Sequence, residues 1–160
     1  MIRSVALHDA PRLADIYSYY IVNDYASFEE VAVDGEEMAR RIAVVFTKFP
    51  WLVWEDERGV MGYAYARPWQ ARYAYRFTVE LGVYLDQSAR HEGIGSNLYG
   101  QLLEDLRERG VHSVVAGIAL PNPGSVGLHE KFGFEKVAHF KEVGWKGERW
   151  RDVGYWEKVL

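Results

Sequence analysis

The chain is predicted to be an α/β protein built on a mixed, mostly antiparallel sheet flanked by helices. Three observations predict this. Strand-like and helix-like segments follow one another in the order β-α-α-β-β-β-α-β-α-β-β. Two of the strands meet at a tight Asp56-Glu57-Arg58-Gly59 turn, which makes the first half antiparallel. A third strand runs straight into Arg90-His91-Glu92-Gly93-Ile94-Gly95 and from there into an amphipathic helix.

Each element has its own signal. Ile2 to Ala6 alternates as a short strand, and Asp9 with Pro11 opens a helix carrying Leu13, Ile16, Tyr17, Tyr20 and Ile21 at helical spacing. A linker from Asn23 to Val33 leads to a second helix, where Asp34 and Glu37 form a capping-box-like pair before Met38, Ile42 and Val45. Phe49 to Trp54 and Val60 to Ala66 are the hairpin strands, and Arg67-Pro68 ends the second of them. A loop covers Trp69 to Tyr75 before the long strand Phe77 to Leu85. The helix beginning near Ser96 places Leu98, Leu102, Leu103 and Leu106 on one face and stops at Gly110. Val111 to Leu120 is rich in β-branched residues and is expected to be a buried strand. Pro121 to Ser125 turns into a short helix closed by Gly133, and strands near Phe134 to Phe140 and Tyr155 to Leu160 finish the chain.

Composition narrows the function classes. A chain of 160 residues, 49% apolar and 15% aromatic, is long enough for one continuous core, and residues 1–160 are expected to form a single domain. A formal charge of −4 without any run of Lys or Arg gives no general attraction to nucleic acid or anionic membranes. No apolar run approaches the ~18 residues of a membrane span, and no charged n-region with an apolar stretch opens the sequence, so a cytoplasmic location is expected. With no cysteine there is no disulfide, thiolate metal site or Cys nucleophile. His8, His91, His112, His129 and His139 lack paired ligand spacing, and no metal is expected. The scattered Trp and Tyr residues are assigned to core and interface packing.

The glycine turn carries the first functional signal. A helix opening at about Ser96 has unpaired backbone N–H groups and a positive dipole end, Gly93 and Gly95 allow close approach, and Arg90 adds a full charge. The natural ligand of such a site is a phosphorylated cofactor. The Rossmann fingerprint requires a third glycine where Leu98 stands, and a P-loop requires Gly-Lys-Ser/Thr, so neither fits. Arg90-x-x-Gly93-x-Gly95 after a Val-Tyr-Leu strand resembles instead the coenzyme A signature of the GNAT superfamily of N-acetyltransferases.

The resemblance extends further. Asn122-x-x-Ser125-x-x-Leu128-His129-Glu130-x-x-Gly133-Phe134 is similar to a segment of phosphinothricin acetyltransferases and their methionine sulfoximine/sulfone-acetylating relatives. Phe28-Glu29-Glu30, the Trp69-Gln-Ala-Arg72-Tyr73-Ala-Tyr75 loop, Val143-Gly144-Trp145-Lys146-Gly147 and Trp150-Arg151-Asp152-Val153 stand where that family has similar residues, so nearly the whole chain is covered. The resemblance implies the GNAT fold, with splayed central strands, and acetyl-CoA as cofactor. Its pantetheine arm would lie between the strand bearing Val83 and the strand ending at Leu120, pairing with backbone near Val83 and Leu85.

Acetyl transfer to an amine needs a base for the ammonium proton, a polarised carbonyl and a proton for the departing thiolate. In the resembled family a glutamate at the position of Glu80 is the proposed base, and Phe77 and Tyr84 are expected to enclose it. His129 stands where many GNAT enzymes carry a tyrosine proposed as general acid, and an imidazole suits either acid or base work. Asn122 and Ser125 are expected either to bond the cofactor or to start a helix. A backbone N–H at Val83 or Tyr84 is expected to meet the oxyanion. Arg72 matches the carboxylate of a free amino acid as a planar guanidinium, with Phe28, Trp69, Tyr73 and Tyr75 as aromatic walls. Glu29 is expected to receive the substrate amine or a neighbouring subunit's loop, since members of the resembled family are typically homodimers. Gln70, Leu81-Gly82 and Arg76 depart from that family's pattern and bear on which amine is used. Alternatives kept open are another acceptor (a polyamine, an aminoglycoside or a protein N-terminus) and a non-catalytic acyl-CoA-binding module.

Overall fold

The computed structural model describes residues 1–160. In chain order the elements are β1 (Ile2–Ser4), α1 (Ala10–Asn23), α2 (Gly35–Phe46), β2 (Trp51–Asp56), β3 (Gly59–Pro68), β4 (Thr78–Leu85), α3 (Ile94–Glu108), β5 (Ser113–Leu120), α4 (Pro123–Lys131), β6 (Glu135–Trp145) and β7 (Trp150–Val159). All seven strands join one sheet in the order β1-β2-β3-β4-β5-β7-β6. Every neighbouring pair is antiparallel except β4 and β5, which run parallel.

Apolar side chains separate onto the two faces of this sheet. Leu98, Leu102, Leu103 and Leu106 of α3 pack with Leu52, Ala64, Val79 and Val114 on one side. On the other side, Leu13, Ile16 and Ile21 of α1 and Met38 and Ile42 of α2 pack with Trp51, Val53 and Tyr63. Each fully buried Leu or Ile contributes about 1.5–3 kcal/mol of gross burial energy, so both helical layers are anchored firmly. The start of α2 is capped as its sequence implies. Asp34 accepts a hydrogen bond from the Glu37 N–H at 2.8 Å, and Arg40 and Arg41 hold the Glu37 carboxyl down at about 2.

Several boundaries differ from the sequence expectation. Pro68 is the last residue of β3, paired with Val79, where a missing N–H costs little. α3 opens at Ile94, because Gly93 adopts φ 80° and serves as its N-cap. β6 and β7 are longer than expected, meeting at Trp145↔Trp150. A register shift between Phe140 and Gly144, with Glu142 at φ 50°, breaks the alternation that would have marked the extension.

Candidate active site

β4 and β5 are paired only at Thr78↔Ser113, Val79↔Val114 and Glu80↔Val115. Past these pairs the strands part, and a cavity of about 790 Å³ opens between Leu81–Leu85 and Ala116–Ala119. The Thr78 carbonyl accepts from Trp69 and the Asp86 N–H donates to Met61, so the even-numbered residues of β4 present their backbone groups to β3. The odd-numbered residues therefore face the gap. At Leu85 these groups are already engaged: the Tyr20 hydroxyl donates to its carbonyl at 2.7 Å, and its N–H lies 3.4 Å from the same oxygen. Leu81 and Val83 are left as the strand residues facing the gap, with Val83 the farther from the paired seam. The Tyr84 N–H points to β3, away from the cavity, and its ring packs on Tyr17, Tyr20 and Tyr63.

The glycine turn sits at the open end of the gap. Gly93 (φ 80°) and His91 (φ 67°) are both left-handed, which curls the backbone around Glu92. α3 has no side-chain cap, so the N–H groups of Ile94, Gly95 and Ser96 have no intrahelical acceptor. The side chain of Ile94 is buried in the core, which leaves its N–H as its contribution. Arg90 stacks 5.5 Å over the Tyr20 ring. Lys131, a cation that the sequence reading did not single out, donates to Ser96 Oγ at 3.1 Å and also lines the cavity. The Glu92 carboxylate is turned away to Arg58 at 2.8 Å, so its charge does not oppose an anion here.

At the closed end stands Glu80, the last β4 residue paired with β5. Its Oε2 accepts from Arg67 Nη2 at 2.8 Å and Nε at 3.1 Å. The apolar enclosure expected from Phe77 is not formed, because that ring is half exposed. Glu80 Oε1 lies instead towards Gly117, whose missing side chain makes room for the Tyr155 ring.

His129 is buried in the cavity wall and has both nitrogens engaged. Nδ1 lies 2.7 Å from the Ser125 carbonyl, an acceptor only, so Nδ1 carries the proton. Nε2 then accepts from the Tyr99 hydroxyl at 2.5 Å. Burial lowers the His129 pKa, and its bond to Ser125 only partly opposes this. The imidazole is neutral, and in this arrangement it has no proton to give into the gap. Asn122 spends its side-chain oxygen on the Ser125 N–H at 3.1 Å, capping α4.

The residues expected on the acceptor side come from separate segments. The Trp69 and Tyr75 rings meet edge to face at 5.2 Å, while Arg72 and Tyr73 are exposed. Arg76 stacks on Tyr73 and Phe77. Phe28 lies against Gly144, where a Cβ would run into its ring. Glu29 is ion-paired with Arg41 at 2.6 Å and accepts from the Tyr17 hydroxyl. The bond from Arg41 holds the Glu29 carboxyl below its usual range despite partial burial. Its carboxylate is thus spent within the chain, which leaves little of it for a substrate ammonium.

A family model described as "Acetyltransferase (GNAT) domain" matches residues 2–154. The chain belongs to the GNAT acetyltransferase family. It is 38% identical to the phosphinothricin N-acetyltransferase of Streptomyces viridochromogenes, over 98% of this chain and 86% of the relative. It is 35% identical to the L-methionine sulfoximine/L-methionine sulfone acetyltransferase of Pseudomonas aeruginosa, over 99% and 94%. Among solved structures, a ribosomal-protein-alanine N-acetyltransferase from Brucella melitensis superimposes with TM-score 0.97 at 38% identity, covering 100% of this chain and 99% of that one. A phosphinothricin acetyltransferase from Sinorhizobium meliloti in complex with AcCoA gives TM-score 0.97 at 35% identity, covering 100% and 88%.

This GNAT protein is an acetyl-CoA-dependent acetyltransferase, and its gap fits that cofactor. Val83 would offer strand backbone to the extended amide chain, the uncapped start of α3 would meet the diphosphate, and Arg90 and Lys131 would supply positive charge. Leu85 would join Val83 only if the Tyr20 hydroxyl moved aside.

Proposed function

We propose that the protein transfers the acetyl group of acetyl-CoA directly to the α-amino nitrogen of a small amino acid or amino-acid analogue. The class is that of phosphinothricin, methionine sulfoximine and methionine sulfone. The observation that carries the reading is a carboxylate, Glu80, at the apex where β4 and β5 part. The near-full-length relatives that acetylate such analogues support it.

Acetyl-CoA, when bound, supplies an acetyl group activated as a thioester. The chain supplies the rest. Glu80 takes the proton of the acceptor ammonium, which frees the nitrogen lone pair; the C–N bond then forms as the thioester C–S bond breaks, and the released thiolate takes its proton from solvent. The Val83 N–H is a fixed donor for negative charge developing beside it. Arg72, without an acidic partner, is assigned to the acceptor carboxylate, and Trp69 and Tyr75 to its side chain. The absence of cysteine removes a cysteinyl acyl-enzyme, and His129 with both nitrogens engaged is assigned to the cavity wall. A homodimer is part of the reading, supported by exposed Val137, Phe140, Val143, Trp145 and Trp150 along β6 and β7. Resistance to a toxic amino-acid analogue would follow from the activity.

A second acceptor, the N-terminal alanine of a peptide, is favoured by the Brucella structure and by the exposed loop bearing Arg72 and Tyr73. Free-thiol release separates the two. The panel is methionine sulfoximine, methionine sulfone, phosphinothricin, ordinary amino acids, polyamines and an alanine-terminated peptide. Turnover with amino-acid analogues is expected; turnover with the peptide or polyamines alone would move the acceptor.

A further inference from the structure

Lys146 is a buried cation that the reaction above does not use. Only 8% of it is exposed, and no carboxylate pairs with it. Taking an ammonium out of water is costly unless its donors are met, and here they are met by backbone. Nζ donates to the Ile21 carbonyl at 2.7 Å and to the Glu29 carbonyl. Ile21 lies in the last turn of α1, where unpaired carbonyls gather the negative end of the helix dipole. The turn between β6 and β7 thus supplies a C-terminal cap to α1 and, with the same atom, holds the linker after it.

Neighbouring contacts act on the same linker. Phe28 occupies the space that Gly144 leaves empty. Arg151 donates to the Lys146 carbonyl at 3.1 Å and stacks 4.0 Å over the Tyr25 ring, whose hydroxyl donates to the Pro121 carbonyl. From the opposite side Arg41 and Tyr17 hold the Glu29 carboxylate. The segment carrying Phe28 and Glu29 is gripped between two layers, and Lys146 is the hairpin's charged hold on its backbone.

We propose that Lys146 is a positioning residue for acceptor recognition, fixing the Phe28–Glu29 backbone at the end of the gap assigned to the acceptor, past Asn23–Ala26, which line the cofactor cavity. The inference rests on the acceptor reading above. In K146M, which keeps the stem and removes the ammonium, the acceptor KM is expected to rise about tenfold or more with kcat within about threefold. The acetyl-CoA Kd by calorimetry should stay within about twofold, and amide exchange across residues 27–33 should quicken about tenfold. K146Q, too short to reach both carbonyls, should show the same split if K146M does not fold. K146R, which keeps charge and donors, should restore the acceptor KM to within about threefold of wild type. An unchanged acceptor KM, a parallel rise in acetyl-CoA Kd, or unchanged exchange at residues 27–33 would each overturn the proposal. If the wild-type protein acetylates no amino acid or analogue, the acceptor reading fails instead; the exchange comparison then decides separately whether Lys146 holds the segment.

Discussion

The two ends of the gap are built from different materials. The cofactor end is made of backbone: a left-handed Gly93, three uncapped N–H groups and a helix dipole, all within a few residues of one another. The end assigned to the acceptor draws on side chains from distant parts of the chain. Arg67 meets Glu80, Arg41 and Tyr17 meet Glu29, and Lys146 meets two carbonyls. Backbone recognition suits a ligand that never changes, because most substitutions leave an N–H where it was. Paired side chains suit a ligand that does change, because one substitution alters charge, shape or hold.

The contrast can be broken most forcefully at Glu80. Glu80→Gln keeps the shape and removes the base, and kcat is expected to fall about 10²–10⁴-fold. Equilibrium binding of acetyl-CoA should be nearly unchanged; a matching loss of binding would show that the two ends are not separate. Gly93→Ala attacks the other end. A Cβ meets nothing there, but φ 80° costs an L-residue about 1–2 kcal/mol, which raises the acetyl-CoA KM by about tenfold and spares the acceptor KM. Arg72→Ala should raise the acceptor KM about five- to tenfold while the acetyl-CoA KM holds, as the loss of one exposed charge-assisted contact predicts. No change in acceptor kinetics would remove Arg72 from the site.

The smallest effect is a separation by pH. Burial lowers the His129 pKa in the folded chain, so the unfolded imidazole takes up its proton first. The stability contributed by neutral His129 is complete above about pH 6.5 and declines as pH falls through that value towards the lower folded pKa. Glu29 is held low by Arg41, so its contribution persists until pH drops below about 4.3 and is lost through its folded pKa. Thermal melts from pH 7.5 to 4 should show the His129 slope first, and His129→Gln should remove that slope alone.

Local signals were legible in the sequence and long-range ones were not. The strand entering Arg90-x-x-Gly93-x-Gly95, the α3 leucines and the Asn122 cap each depend on neighbours within a few positions, and they stand where their spacing puts them. Glu80 was recognisable from its motif, but its pairing with Arg67 follows from the β3–β4 register. The motif leaves His129 open to acid or base work; the Tyr99 hydroxyl at its Nε2 comes from a helix that only folding brings near. Tyr25, Lys131 and Lys146 left no periodic trace, and the place of Tyr20 in the α1 pattern did not disclose its bond to Leu85, because each acts through a single tip atom or ring. The extension of β6 was hidden by the irregularity at Glu142.

The parallel seam between β4 and β5 is three residue pairs long. The sheet is therefore a four-strand block and a three-strand block sharing a short hem, with the cofactor's place lying along the open part of it. A molecule seated there touches both blocks and favours the folded chain by mass action, by about 2.7 kcal/mol at a hundred times its Kd. Bound acetyl-CoA would thus act as a stitch across this hem as well as a reactant, and its addition is expected to raise the midpoint of thermal unfolding.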